Sequence, residues 1–163
     1  MTDLREVTFA AVTLDDLAEA EGRVAVAIDG GGTLSPGARR VNRLTKGAVA
    51  RAIESDAWGK LKAGEIMTLA WPTGMKAEAV DLIRLDRRTS RTDARKAGAA
   101  LARVAGKAGL TVLLENTRHP AEFGLGLMLR GYTFGARKSK AADALAAAAI
   151  MVKDAEAASN AFA

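Results

Sequence analysis

Residues 24–53 read VAVAIDGGGTLSPGARRVNRLTKGAVARAI. The run Arg23–Ile28 is apolar and β-branched, the makeup of a strand buried on both faces. Asp29–Gly32 follows as a Gly-rich turn. Ser35 then stands where an N-cap belongs, and Pro36 at the first helical position, where its missing N–H costs nothing. From Pro36 to Glu54, Ala38, Val41, Leu44, Ala48, Val49 and Ala52 recur at three- and four-residue steps. Arg39, Arg43 and Lys46 fall opposite, with Arg40 and Arg51 beside them, so one amphipathic helix is predicted over this range. Strand, turn and helix in that order are the unit of an α/β sheet.

The flanking sequence repeats the theme. Upstream, Glu6–Val12 patterns as a strand, and Leu14–Gly22 carries turn and short-helix signals. Downstream, Ser55–Gly64 is predicted as a loop with a Gly59-Lys60 turn. Glu65–Trp71 is a strand stopped by Pro72, and Glu78–Leu85 is another. After the charged loop Asp86–Arg91, Thr92 is predicted to cap a helix running to Lys107, with Gly109 near its end. Its buried stripe is Ala94, Ala97, Leu101, Val104, Ala105 and Ala108, and Gly98 among the Ala residues predicts close helix-to-sheet packing. Leu110–Glu115 is a strand. Thr117 is placed to cap the next helix, with Pro120 in its first turn and its end near Arg130. A Gly-bounded aromatic pair, Tyr132 and Phe134, and a basic turn at Arg137 and Lys138 come next. Leu145–Val152 patterns as a final strand despite an Ala content shared with helix, and Asp154–Ala163 opens a further helix. The sum is a three-layer α/β/α sandwich around about six strands. The start lacks a clean βαβ repeat, which predicts a mixed rather than fully parallel sheet.

Composition agrees. The chain has 163 residues, 49% hydrophobic and 26% charged, enough for one domain with a real core. Aromatics make up only 4%, so Val, Leu, Ile, Met and close Ala contacts must fill it. With no Cys, disulfides, thiolate metal sites and thiol catalysis are excluded. A single histidine, His119, excludes a multi-histidine metal cage. The start MTDLREVTFA has no apolar run behind a basic segment and is no signal peptide. The longest apolar run, Ala144–Val152, is too short to span a bilayer, so a cytoplasmic location with no membrane partner is expected. The formal charge of +5 permits an acidic partner or nucleic acid without demanding either.

Several residues invite chemistry. Asp29-Gly30-Gly31-Gly32 lies between strand and helix, where backbone N–H groups and a helix end can cradle phosphate. Its spacing fits neither G-x-G-x-x-G nor G-x-x-x-x-G-K-[ST], which favours a turn needing positive φ. The Arg39, Arg43, Lys46 face could track a phosphate backbone, but no aromatic residue interleaves with it; a solvated face, or one facing an acidic neighbour, is the plainer reading. Arg84, Arg87, Arg88, Arg91 and Arg95 alternate with Asp86 and Asp93 as a surface loop entering a helix. His119 is expected at a cap or on the surface, and Tyr132 and Phe134 as apolar anchors. Asp15-Asp16 and the pair Asp154 and Glu156 suit helix starts. Trp58 and Trp71 suit either an interface or the core. No residue is assigned a catalytic, cofactor-binding or metal-ligating role.

Four segments, in order, resemble the N-terminal domain of the leucyl (cytosol) aminopeptidase family: residues 24–53 as quoted, ESDAWGKLKAGEIMTLAWP (54–72), DARKAGAALARVAGKAGLTVLL (93–114) and AEFGLGLMLRGYTFGARKSK (121–140). Two positions depart from the family pattern. Leu85, Asp86 and Arg87 stand where a Gly-rich stretch is usual, and Arg137 stands where Tyr often precedes the Lys-Ser pair. The resemblance implies a macro-domain-like fold over 1–153, with 154–163 starting a linker helix towards a catalytic domain; that unfinished helix suggests a cut chain. It implies a parent metallo-exopeptidase that removes N-terminal residues from peptides with two divalent metals, Zn or Mn, bound by Lys, Asp and Glu in the other domain. The family's N-T-D-A-E-G-R motif does not occur here, so this chain alone is expected to be inactive and to hold no cofactor. Its implied partners are the catalytic domain and neighbouring subunits of a homo-hexamer, with a role in assembly and in access to the active site. Macro domains bind ADP-ribose, which makes an ADP-ribose or nucleotide module the alternative, although no strand here ends in their typical Val-Asn pair. A basic DNA-contacting accessory domain is a third reading. Whether the Gly30-Gly31-Gly32 loop binds any ligand is left open.

Overall fold

Apolar side chains crowd both faces of β2 (Arg23–Ile28), which places the strand in the middle of a sheet covered on two sides. The computed structural model describes residues 6–15, 17–105, 108–115, 117–137 and 147–162, with 129–137 described by backbone alone. In chain order its elements are β1 (Val7–Ala11), a 3₁₀ turn (Leu17–Glu19), β2, α1 (Pro36–Leu44), α2 (Ala48–Ile53), α3 (Asp56–Gly59), β3 (Ile66–Ala70), β4 (Ala79–Arg84), α4 (Arg91–Ala105), β5 (Leu110–Glu115), α5 (Pro120–Arg137), β6 (Ala148–Val152) and α6 (Ala155–Phe162). Six strands form one sheet in the order β1-β6-β5-β2-β4-β3. All neighbours are parallel except β3, which runs antiparallel to β4 at the edge. The mixed sheet is therefore as expected, and its antiparallel member is β3, in the β3–β4 hairpin.

Alternation along the strands sorts the core into two layers. Ala25, Ile83, Val112, Leu114 and Ile150 face α4, α5 and α6, where Leu101, Phe123 and Leu127 meet them. Val24, Val26, Ile28, Val80 and Leu82 face the other way, against Val41, Val49 and Trp58 from α1, α2 and α3. Phe9 and Phe162 close the β1 edge, edge-to-face at 5.3 Å. One ion pair is sunk in the first layer. Arg23 donates from Nε and Nη2 to the two Asp81 carboxylate oxygens at 2.9 and 2.8 Å, and Thr68 donates to Oδ1 at 2.6 Å. Asp81 is fully buried, so these charge-assisted bonds are what make its ionised form tolerable there.

The predicted single helix Pro36–Glu54 is two helices. Lys46 (φ 57°) and Gly47 (φ 86°) turn the chain out of α1, and Asn42 Oδ1 accepts from Ala50 N at 2.9 Å, tying α2 back to it. The apolar period runs through the break because α2 resumes on the same core. Ser55–Gly64 contains the short α3, capped by Ser55. Ser90, not Thr92, caps α4, accepting from Asp93 N at 3.0 Å. Gly98 and Ala102 are buried in α4 while Val104 is 39% exposed, so the buried stripe is rotated from the predicted one. Gly98 packs against α5 and not the sheet: a Cβ there would meet the Phe123 carbonyl and Leu127 N. α5 runs on past Arg130 to Arg137, so the backbone at Tyr132 and Phe134 is helical; their side chains, Lys138 and Asp16 lie outside the description.

Candidate functional site

Five parallel strands end along one edge of the sheet, and in open α/β sheets that carboxyl edge is where loops gather a ligand crevice. Among the described residues, two hollows along it bring polar side chains together. One, of about 540 Å³, is bounded by Asp29, Ser35, Asp86, Arg87 and Thr117. The other, of about 810 Å³, lies between the ends of β5 and β6 and the starts of α5 and α6.

Both anion-seeking features on the floor are already satisfied. Ser35 caps α1 as predicted, accepting from Ala38 N at 3.2 Å. The same hydroxyl donates to Glu115 Oε1 at 2.9 Å, and Gly37 N donates to that oxygen at 2.7 Å. A carboxylate from the end of β5 thus fills the positive end of α1, where a phosphate would otherwise sit. Gly37 is required, because a Cβ there would collide with Glu115. Glu115 itself is held at φ 47°, a left-handed conformation uncommon for its residue type. On the Gly-rich loop, Gly32 takes the positive φ expected (83°), and Gly30 N donates to Asp86 Oδ1 at 2.7 Å. The hydrogen bond to Asp86, then burial and the adjacent negative charge, hold the Asp29 carboxyl above the ordinary carboxylate range. Receiving that bond and the Gly30 N–H holds Asp86 below it. Asp86 therefore serves as a polar clasp on the glycine loop.

The rim is basic. Arg87, Arg88, Arg91, Arg118 and Lys153 line the larger hollow, with His119 (φ 60°) opening α5. His119 is at a helix start, as expected, and its carbonyl accepts from Phe123 N at 3.1 Å. Asp154 caps α6 through Ala157 N at 3.0 Å, and Arg95 pairs with Glu122 at 2.6 Å. Arg39, Arg43 and Lys46 stay exposed on α1 and its following turn, and none of them lines either of these two hollows. The two tryptophans separate: Trp58 is core, while Trp71 is 76% exposed at φ 49°. Among the described residues no group of three or more His, Cys, Asp or Glu side chains is placed to hold a metal ion. The adjacent carboxylates, Asp29 and Asp86, share a hydrogen bond and sit beside Arg84 and Arg87, a donor set that does not fit a dinuclear centre. No described helix is long and apolar enough to cross a membrane. Sequence patterning missed Glu115, whose only signal was a carboxylate closing the apolar run LTVLLE.

The fold is that of macrodomains. The macrodomain of Mycobacterium tuberculosis DarG superposes with a TM-score of 0.65 at 11% identity, covering 89% of this chain and 97% of that one. A Trypanosoma brucei macrodomain in complex with ADP-ribose gives 0.64 at 10% identity, covering 98% of this chain and 72% of that one. In sequence, a probable cytosol aminopeptidase from Dinoroseobacter shibae is 47% identical over the full chain and 33% of its own length. One from Cereibacter sphaeroides is 44% identical over 85% of the chain and 28% of its own length. The chain thus spans about a third of the curated relatives it matches. The sequence pattern of the cytosol aminopeptidase family's N-terminal domain matches residues 25–141. With that match over most of its length, and 47% identity along the whole chain to a probable family member, the chain belongs to the cytosol aminopeptidase family as its N-terminal domain.

Proposed function

We propose that this domain is the non-catalytic N-terminal part of a dinuclear metallo-exopeptidase acting on peptide N-termini in the cytoplasm. Residues 1–153 form the domain, and 154–163 begin the connection to the catalytic part. Its work is to organise a hexamer and shape access to the active site. The carrying observation is that a probable cytosol aminopeptidase matches the whole chain with 33% of its own length, and a second matches 85% of the chain with 28%. Chemistry resides in the remainder, where two Zn or Mn ions would polarise the peptide carbonyl and activate water.

The alternative is an ADP-ribose or nucleotide module, favoured by the macrodomain likeness of the fold. Glu115 and Asp86 weigh against it, since a ligand phosphate would meet two fixed carboxylates on the floor. A DNA-contacting role rests on the charge of +5 and on the exposed basic residues of α1 and the rim. The chain, incubated with Mn or Zn and a leucine anilide, is expected to release no product above blank. Metal-dependent turnover by the chain alone would overturn the proposal, and micromolar calorimetric binding of ADP-ribose would favour the alternative.

A further inference from the structure

The larger hollow at the carboxyl edge has an imbalance that the aminopeptidase assignment does not use. Its three carboxylates are all committed: Glu115 to Ser35 and Gly37, Glu122 to Arg95, and Asp154 to the first turn of α6. Among the described residues, Arg87, Arg88, Arg91, Arg118 and Lys153 have no carboxylate within ion-pair distance, and all five are exposed. They come from the loops after β4, β5 and β6 and from the first residue of α4, and β4 and β6 are separated by three inter-strand steps. At about 4.8 Å per step that is a row of about 14 Å, the length of roughly four extended residues. Part of the lining is apolar. Val152, Ala157, Ala158 and Ala161 line it with small apolar side chains. Among the described residues no Phe, Tyr or Trp side chain lines the hollow, and His119 and the guanidinium planes are the flat faces it offers.

We infer that this cleft is a docking site for an acidic peptide segment whose carboxylates engage the arginine rim and whose small apolar side chains lie on the α6 wall. Guanidinium forks bind carboxylates bidentately, and a row of them selects an extended acidic strand over a single anion. The site does not depend on where hydrolysis occurs, and it stands or falls separately from the catalytic assignment.

The test is fluorescence anisotropy on the 163-residue chain. The probe is a labelled peptide of Glu, Ala and Leu, with a counterpart carrying Gln at every Glu. The acidic peptide is expected to bind with a Kd that rises with salt, and the Gln peptide to bind at least about tenfold more weakly. Arg118→Ala and Lys153→Ala are each expected to weaken binding about three- to tenfold, and Arg118→Glu more. Arg39→Ala, on the other basic face, should leave it unchanged. Equal binding of the two peptides, no response to the Arg118 and Lys153 variants, tighter binding of duplex DNA at the same salt, or no binding of the acidic peptide each overturns the inference.

Discussion

Gly98 and Gly126 are the points at which α4 and α5 touch backbone to backbone, and Gly98→Ala tests that contact by its sign. A Cβ at Gly98 would stand 2.9 Å from Leu127 N and 3.0 Å from the Phe123 carbonyl carbon, with the Phe123 oxygen closer still. The Leu127 gap alone is 0.5 Å short of the 3.4 Å at which ordinary contact begins, and the opposing atoms are backbone, which cannot rotate aside. The helices must therefore part. A gap of 0.5 to 1 Å forfeits about a quarter to a half of each dispersion contact it opens. Spread over Leu101, Phe123 and Leu127, which fill the seam, that loss and the residual overlap come to about 2 to 3 kcal/mol. Ala gains about 1 kcal/mol over Gly in helix propensity, leaving a net destabilisation of about 1 to 2 kcal/mol. For a chain of this length that is a fall in Tm of about 2 to 8 °C, or a lower urea midpoint at unchanged slope. Gly59→Ala, with nothing within 4 Å of its Cβ, supplies the control and should be neutral or mildly stabilising. Gly126→Ala meets the Arg95 backbone in the same way, and since the helices need part only once, the double variant should cost less than the sum of the singles. A Gly98→Ala protein as stable as the wild type, or more so, would refute the close approach.

Two further predictions concern the floor of the carboxyl edge. Glu115→Ala strands the Ser35 hydroxyl and the buried Gly37 N–H, a cost of about 2 to 3 kcal/mol by urea unfolding; added sulfate should recover part of it beyond its effect on the wild type, and equal responses to sulfate would contradict an anion-ready α1 terminus. Asp29 binds its proton more tightly folded than unfolded, so its contribution is present in acid and lost as the pH rises through its folded pKa. Asp29→Asn keeps a donor facing Asp86 at every pH, while the contribution of Asp86 through Gly30 N–H is common to both proteins. The variant should therefore be the more stable near neutrality, with the difference vanishing on acidification; lower stability near neutrality would contradict the shared hydrogen bond.

What could be read from the sequence was whatever neighbouring residues decide. The strand β2, the Gly turn, the Ser35 cap and Pro36 at the first helical position all rest on contacts a few residues long, and each stands as read. The break at Lys46 and Gly47 was hidden because helical periodicity reports which face is buried, and α1 and α2 bury theirs against the same layer. Gly98 among Ala residues announced a close approach but not its partner, since a glycine records only that something comes near. The Arg23–Asp81–Thr68 cluster and Glu115 were illegible for the same reason. Their partners lie 58, 13 and about 80 residues away, and nothing local distinguishes a paired carboxylate in a strand from a misplaced one.

Glu115 links these threads. A left-handed conformation costs an L-residue roughly 1 to 2 kcal/mol, and it persists only where surrounding contacts outweigh it. Here those contacts are two hydrogen bonds that occupy the N-terminus of α1, and Gly37 leaves the room they need. Asp86 does the same for Gly30. Two places where this fold could grip a phosphate are thus filled by its own side chains. Even at an effective dielectric of about 20, a second negative charge at about 4 Å would be repelled by about 4 kcal/mol from each. The rim cations Arg87, Arg88, Arg91, Arg118 and Lys153 are exposed at the mouth of the larger hollow, while Glu115 is buried and bonded to the α1 terminus. Positive potential is therefore moved from the floor of the edge to its lip, where a rigid diphosphate would gain little depth but an extended acidic strand can meet several guanidinium groups at once.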